Sequence, residues 1–425
     1  MITVITPGMR EGKPVRIPGS KSMSHRALIA AALSEKDTVI RGLVENNDTA
    51  ATMNCLAQLG ASFDVLKDGG LFVHGIGHRA RYSGKVVDCG ESGSTLRFLI
   101  PLFSLCETEV VFTGHGKLMS RPQSVYQELF EKQGLLFQQE GDFLHIKGPL
   151  KPGRFTVRGD ISSQFISGLL FALPLLNGDS ELVVLPPFES RSYAGLTMDV
   201  LETAGIRFTE DGDTFRIPGN QTYGCPSYDV EGDDSQVAFF AALALLGQTP
   251  VTVTGMRQES RQGDHVIVSL IEQAGGRSIP IEGGYRFEPG PRKAFTADLA
   301  DCPDLGPILF ALAAGTEGTS VFTHCARLRI KESDRILAMK EELEKLGILL
   351  EEDGDTVRIT GTSSIRGGTV LYGHNDHRIV MALSVLAAAA DEPVTIEGAE
   401  AVNKSYPAFF TDLRTAGAEV TYESH

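Results

Sequence analysis

The chain repeats itself six times, and that period limits its possible folds more tightly than composition does. A run of small polar residues, an Ala/Leu-rich stretch and then a β-branched stretch closing near glycine recurs from Gly19, Gly90, Gly159, Gly232, Pro303 and Asn375. The steps between these starts are 71, 69, 73, 71 and 72 residues. A second pattern, an amphipathic helix ending on a small residue and glycine, reaches Gly60, Gly134, Gly205, Gly275, Gly347 and Gly417. Its steps are 74, 71, 70, 72 and 70 residues. Two independent patterns with one period divide all 425 residues into six units.

Each unit reads as strand, helix, strand, helix and a hairpin-like pair. The first helix is apolar nearly all round, as in Ala27 to Leu33, which marks a buried helix. The second is half polar, as in 49–59 and 339–346, and its closing glycine suits a helix cap. Alternating stretches such as 355–359 follow and read as strands. Such units are too long for common solenoid repeats and too few for an extended array. An α/β fold of two globular domains with three units each is expected. The boundaries fall at 20–229 for one domain and 1–19 with 230–425 for the other, with a hinge near 19–20 and 225–231.

Threefold pseudo-symmetry has a chemical consequence. Three equivalent buried helices should run parallel and gather their N-termini, each carrying roughly half a unit of positive charge and several unpaired N–H groups. Two such domains face to face would form an anion-attracting cleft. Overall charge runs the other way, with 39 Lys and Arg against 54 Asp and Glu, formally -15. That balance argues against nucleic acid or an anionic membrane as the partner, so an anionic ligand must meet a local basic cluster.

The six cysteines form no C-x-x-C pair and read as reduced thiols. No secretory signal opens the sequence, and the most apolar stretches, 165–176 and 237–246, are shorter than the roughly 18 residues of a membrane span. A soluble, cytoplasmic protein is expected.

The copies differ at their helix starts. Ser20, Ser94, Ser162, Asp234, Asp304 and Asp376 lie where N-caps are preferred. Yet Lys21, Arg26, Arg97 and Arg378 also fall in the first turn or two, where a cation opposes the dipole by about 0.3–1 kcal/mol. A bound anion would reverse that sign. Pairing with neighbouring carboxylates is the plainer explanation of each base alone. In the segment 331–335 (KESDR), Ser333 or Asp334 is a ready cap, while Glu332 between two cations could serve as an acid/base. Asp304 reads equally as a cap, and Ser162-Ser163-Gln164 as a cap or a phosphate cradle. Gly19-Ser20-Lys21-Ser22 lacks the glycine pattern of a phosphate loop. His74 with His78, and His374 with His377, lack the ligand set of a metal site, so none is expected.

These residues lie in motifs that resemble the enolpyruvyl transferases, and within them the 5-enolpyruvylshikimate-3-phosphate synthase family. The resemblance covers nearly the whole chain. It rests on PGSKSMSHRAL from Pro18, GESGSTLR from Gly90, SRP from Ser120, GDISSQ from Gly159, RIKESDR from Arg329, NDHR from Asn375 and NKSYP from Asn403. It implies two inverse α/β barrel-like domains of three βαβαββ units each, acting as a monomer without cofactor or metal. The implied reaction moves the carboxyvinyl group of phosphoenolpyruvate onto the 5-hydroxyl of shikimate-3-phosphate and releases phosphate. By matching motifs, Lys21, Ser22, Arg26, Ser162, Ser163, Gln164, Ser190, Tyr193, Asp304 and Lys331 would hold shikimate-3-phosphate. Lys21, Gly93, Arg121, Gln164, Arg335, Arg378 and Lys404 would surround phosphoenolpyruvate. Asp304 would take the hydroxyl proton, Glu332 would protonate the methylene carbon, and Lys21 would assist the departing phosphate.

Two positions depart from the family pattern: Arg327 stands where Asn is usual, and Glu91 brings a carboxylate near the phosphoenolpyruvate residues. Glu91 either pairs with a base or points away. The rival readings are the sister transferase that uses UDP-N-acetylglucosamine and a non-catalytic anion-binding scaffold. The first carries Lys-Asn where this chain has Lys21-Ser22, and a loop cysteine absent from 113–121. The second does not account for Lys21, Asp304 and Glu332 falling at motif positions in separate units.

Overall fold

The computed structural model describes residues 1–77 and 81–423, leaving His78 outside the described residues. Two compact units divide the chain: Gly19–Val230, and Met1–Pro18 with Glu231–His425. Among the described residues each holds six α-helices. In the first they are α1 (Lys21–Leu33), α2 (Asn47–Ala57), α3 (Gly93–Phe103), α4 (Ser124–Lys132), α5 (Ser163–Ala172) and α6 (Arg191–Thr203). In the second they are α7 (Asp234–Leu246), α8 (Ile267–Gln273), α9 (Gly306–Ala314), α10 (Arg335–Lys345), α11 (His377–Ala387) and α12 (Phe409–Thr415).

The odd-numbered helices are the apolar runs of the repeat. Every residue of α7, α9 and α11 is buried, and these helices pack on one another at the centre of their unit. In the other unit α1, α3 and α5 fill the core in the same way. The even-numbered helices bury one face only, as their half-polar composition dictates. All six glycines that close them have positive φ, from 69° at Gly134 to 111° at Gly417, a backbone that glycine adopts without steric penalty.

Six four-stranded sheets, three per unit, wrap these helices and share one topology. Val87–Asp88 pairs in parallel with Val110–Thr113, which pairs antiparallel with Phe143–Lys147, and that strand with Leu136–Glu140. The parallel step has a buried helix as its crossover, and the antiparallel pair is a hairpin. Three sheets are completed by strands from elsewhere in the sequence, one of them by Val15–Arg16 beside Val251–Thr254. Ser227–Asp229 supplies the parallel partner of Thr38–Arg41, and Ile2–Met9 sits between Val394–Glu397 and Ala418–Glu423.

Capping differs from expectation in three of the six repeats. Ser20, Ser162 and Asp376 do cap α1, α5 and α11. The cap of α3 is Ser92 rather than Ser94, and that of α7 is Asp233 rather than Asp234. Asp304 is not the cap of α9: a 3-10 turn, Pro303–Leu305, precedes that helix and puts Leu305 at the cap position. A cap needs extended backbone at its own residue, and two residues of slack in a polar run suffice to move it.

No helix among the described residues is long and apolar enough to cross a membrane. Leu243→Ala, fully buried in α7, should destabilise its unit by about 2–5 kcal/mol in urea unfolding, while Leu349→Ala, 58% exposed, should move stability by less than about 0.5 kcal/mol. Equal shifts would contradict this placement of the core.

Candidate active site

In the unit Gly19–Val230 the starts of the three buried helices are tied to one another. Arg97, on α3, donates to Gln164 Oε1 at the start of α5 (2.9 Å), and Gln164 Nε2 returns to Ser94 Oγ (2.9 Å). His25 Nδ1 meets Thr52 Oγ1 at 2.7 Å, and Thr52 meets Thr95 at 2.7 Å, linking α1, α2 and α3. Burial first, then Lys21 and Arg26, hold His25 well below the ordinary histidine value, so the ring stays neutral.

The cations here differ in how they are engaged. Lys21 Nζ lies 3.1 Å from Asp48 Oδ2. Arg26 is bound on several sides, to Thr197 Oγ1 (2.7 Å), Ser22 O (2.7 Å), Ser167 Oγ (3.2 Å) and Tyr193 O (2.7 Å). Burial pulls its guanidinium down to about 10. It therefore ties α1 to α5 and α6 and aligns Ser22 and Tyr193. Arg121 is buried, and its Nε has no hydrogen-bond partner among the described residues. Its guanidinium lies over Gly93, where a Cβ would come within 2.6 Å of Nη1 and push it aside. A buried guanidinium with an unmet donor is a ready anion site. Ser162 and Ser163 are buried at the first turn of α5, and Ser190, with φ 52°, precedes α6. Glu91 packs against Gly116, where a Cβ would lie 2.5 Å from Oε2, so its carboxylate lies on that turn.

In the other unit the helix starts carry carboxylates and cations together. Asp304 Oδ1 receives Lys331 Nζ (3.1 Å) and Arg335 Nη1 (3.0 Å), and its Oδ2 receives Arg378 Nη2 (3.0 Å). Arg335, 1% exposed, also donates to Asp376 Oδ2 (2.9 Å) and Glu332 Oε2 (2.8 Å). Burial opposes its charge, but Asp376, Glu332 and Asp304 outweigh it and hold the guanidinium above its ordinary value. Asp376 is fully buried and takes the Ser333 hydroxyl as well, so burial pushes it up while Arg335 brings it below the usual carboxylate range. Arg378 reaches Ser235 Oγ (2.9 Å), which donates to Asp233. Lys404 Nζ donates to Asn375 O at 2.7 Å. Asp334 caps α10 through Leu337 N.

Lys331 also departs from its ordinary value. Burial lowers it to about 8, against the pull of Asp304 upward. A base near this value is partly neutral in mildly alkaline solution.

The structure therefore brings Lys21, Ser22, Arg26, Gly93, Arg121, Ser162, Ser163, Gln164, Ser190 and Tyr193 into one unit, at or beside its helix starts. Asp304, Lys331, Glu332, Arg335, Arg378 and Lys404 lie in the other. Arg327 is buried in the 3-10 turn Ala326–Ile330, just before Lys331. Sequence reasoning passed over Asp48, Ser235 and Asp376 as partners of the cations, since each pairs with a residue distant in the chain. Of the histidines weighed as ligands, His74 bonds Asp37 and Asp64 on an exposed sheet, and His377 is buried with Nδ1 3.9 Å from Asp376.

This arrangement can neutralise several negative charges and holds carboxylates suited to proton transfer. A family model described as EPSP synthase (3-phosphoshikimate 1-carboxyvinyltransferase) matches residues 5–413. The chain belongs to the EPSP synthase family. Among relatives of this family, 3-phosphoshikimate 1-carboxyvinyltransferase of Clostridium kluyveri is 42% identical over 422 residues, covering 98% of this chain and 97% of that one. The Clostridium perfringens protein of that name is 40% identical over 418 residues, covering 97% and 98%. The EPSP synthase structure from Acinetobacter baumannii superposes with a TM-score of 0.81 at 27% identity, covering 99% of this chain and all of that one. The enolpyruvyl transferase NikO from Streptomyces tendae, at 18% identity and a TM-score of 0.78, shares the fold.

Amine acylation followed by peptide mass spectrometry should find Lys331 titrating near pH 8, and Asp304→Asn should move that midpoint lower by removing the carboxylate that raises it. A midpoint at the ordinary lysine value near 10.4 would contradict this environment.

Proposed function

We propose that the chain transfers the enolpyruvyl group of phosphoenolpyruvate to the 5-hydroxyl of shikimate-3-phosphate, releasing phosphate, as a transferase of aromatic amino-acid biosynthesis. The family match across residues 5–413, with relatives of that activity near 40% identity over their full length, carries this reading. The cytoplasm is its compartment, in keeping with six cysteines that stay unpaired.

The residue roles are those that the motif resemblance implies, and the chemistry suits them. Both substrates bring a carboxylate and a phosphate. Ser162 and Ser163, at the start of α5, and Ser22, Ser190, Tyr193, Gln164 and Lys331 receive shikimate-3-phosphate, with Arg26 aligning Ser22 and Tyr193. Gly93, Arg121, Arg335, Arg378 and Lys404 receive phosphoenolpyruvate, the arginines by bidentate contacts.

In the first step the 5-hydroxyl oxygen bonds to C2 of phosphoenolpyruvate, Asp304 accepts the hydroxyl proton, and Glu332 delivers a proton to the methylene carbon. In the second, the C–O bond to phosphate breaks, the hydroxyl proton passes from Asp304 to the leaving phosphate that Lys21 steadies, and a methyl proton returns to Glu332. Glu332 must be protonated when Asp304 is ionised, so the two need different surroundings. Arg335 meets both carboxylates, while Lys331 and Arg378 also meet Asp304. Arg335 and Arg378 grip Asp304 in this structure. A substrate anion that recruits these guanidinium groups loosens that grip and makes Asp304 the stronger base when the substrate is present.

Purified protein given both substrates should release phosphate only when shikimate-3-phosphate is present. Release driven by UDP-N-acetylglucosamine would assign the sister activity, and none with either acceptor would leave a binding scaffold. Lys21→Ala and Glu332→Ala should each lower kcat by roughly 100-fold or more with the fold intact by circular dichroism, and near-normal rates would refute the assigned role.

A further inference from the structure

The turn between the strand Val370–Tyr372 and α11 carries Asn375, whose carbonyl meets Lys404, and Asp376, whose carboxylate meets Arg335. Its backbone is constrained. His374 and Asn375 have φ of 50° and 53°, left-handed values for residues with a side chain, and a Cβ at Gly373 would come within 2.4 Å of Val380. A turn of this shape persists only when its surroundings hold it.

One side chain does much of the holding. Glu342, on α10 and 1% exposed, accepts from the Tyr372 backbone N–H (2.9 Å), from His374 Nε2 (2.8 Å) and from Lys345 Nζ (2.7 Å). Burial would push its carboxyl up, but the His374, Lys345 and Tyr372 contacts outweigh that and hold it below the usual range. An ionised carboxylate only accepts, so His374 carries its proton on Nε2. The nearby Glu341 oxygen lies 3.8 Å from the same ring nitrogen, but a metal there would have to displace donors already filling Glu342. Arg335 stands seven residues earlier, two turns along the same helix face. Thus α10 grips the turn twice, through Arg335 at Asp376 and through Glu342 at Tyr372 and His374.

We propose that Glu342 is a positioning residue for phosphoenolpyruvate: by fixing the left-handed turn at His374 and Asn375, it sets the direction of Lys404, Arg335 and Arg378. This rests on the reading of those three cations as phosphoenolpyruvate ligands. Glu342 touches no substrate and acts through the turn.

Steady-state kinetics with each substrate varied in turn test it, on Glu342→Gln, His374→Ala, His374→Gln and, as reference, Lys404→Met. Glu342→Gln and His374→Ala should raise KM for phosphoenolpyruvate about tenfold while KM for shikimate-3-phosphate stays within about twofold, and His374→Gln, which restores an N–H donor, should recover much of the loss. If Glu342→Gln does not fold, the His374 pair decides the matter, since that side chain is partly exposed. Should Lys404→Met leave KM for phosphoenolpyruvate unchanged, the reading of the cations fails, whatever Glu342 does. Should Lys404→Met raise it while the Glu342 and His374 variants do not, or while they merely lower the active fraction with both KM values unchanged, the positioning role is overturned.

Discussion

A cation at the start of a helix opposes the helix dipole, and this chain places cations at such starts in both of its units. Lys21 opens α1, Arg335 opens α10, and Arg378 stands in the first turn of α11. A fold selected for stability alone would favour acidic first turns there. What balances these cations decides the rest of the local structure. The balance comes from carboxylates: buried Asp48 for Lys21, buried Asp376 and half-buried Glu332 for Arg335, and half-buried Asp304 for Arg335 and Arg378. Breaking a buried pair from one side is expensive, about 3–5 kcal/mol, so the carboxylates and cations are retained or lost as a set.

The two units solve this problem differently on one repeated scaffold. Around the starts of α1, α3 and α5 the partners are largely neutral: serine and threonine hydroxyls, the Gln164 amide and an uncharged His25. Around α7, α9 and α11 the same positions carry Asp233, Asp304 and Asp376. Hydroxyl-rich starts with N–H groups to offer suit a phosphate that must be held. Carboxylates interlaced with guanidinium groups suit proton transfer, because their basicity changes when an anion draws the cations away. One repeated unit thereby offers two chemistries through substitution at a few helix starts.

Much of this was legible in the sequence because a period is a global signal. Six glycines that close the second helices, all at positive φ, and six apolar helices follow directly from the repeat. The motifs around Lys21, Gly93, Ser162, Lys331, Asp376 and Lys404 marked the helix starts and their loops. Less legible was the register at the caps, where Ser92 and Asp233 took the places expected of Ser94 and Asp234. Pairing was less legible still. Asp376 lies 41 residues from Arg335, and Glu342 lies 32 from His374. Nothing in one sequence ties such residues together, since contact across that distance depends on how helix and turn pack. Asp304 shows the consequence: as a position it looked like a cap, and only its three cationic neighbours reveal a carboxylate held for another purpose.

The most direct measurement is a crystal structure grown with shikimate-3-phosphate and phosphoenolpyruvate. The phosphate of shikimate-3-phosphate is expected on Ser162 and Ser163 at the start of α5, and the phosphoenolpyruvate oxygens on Arg335 and Arg378, with the Asp304 contacts to both arginines lengthened. Ligand density away from these helix starts, or Asp304 contacts to both arginines at their present lengths, would contradict the account.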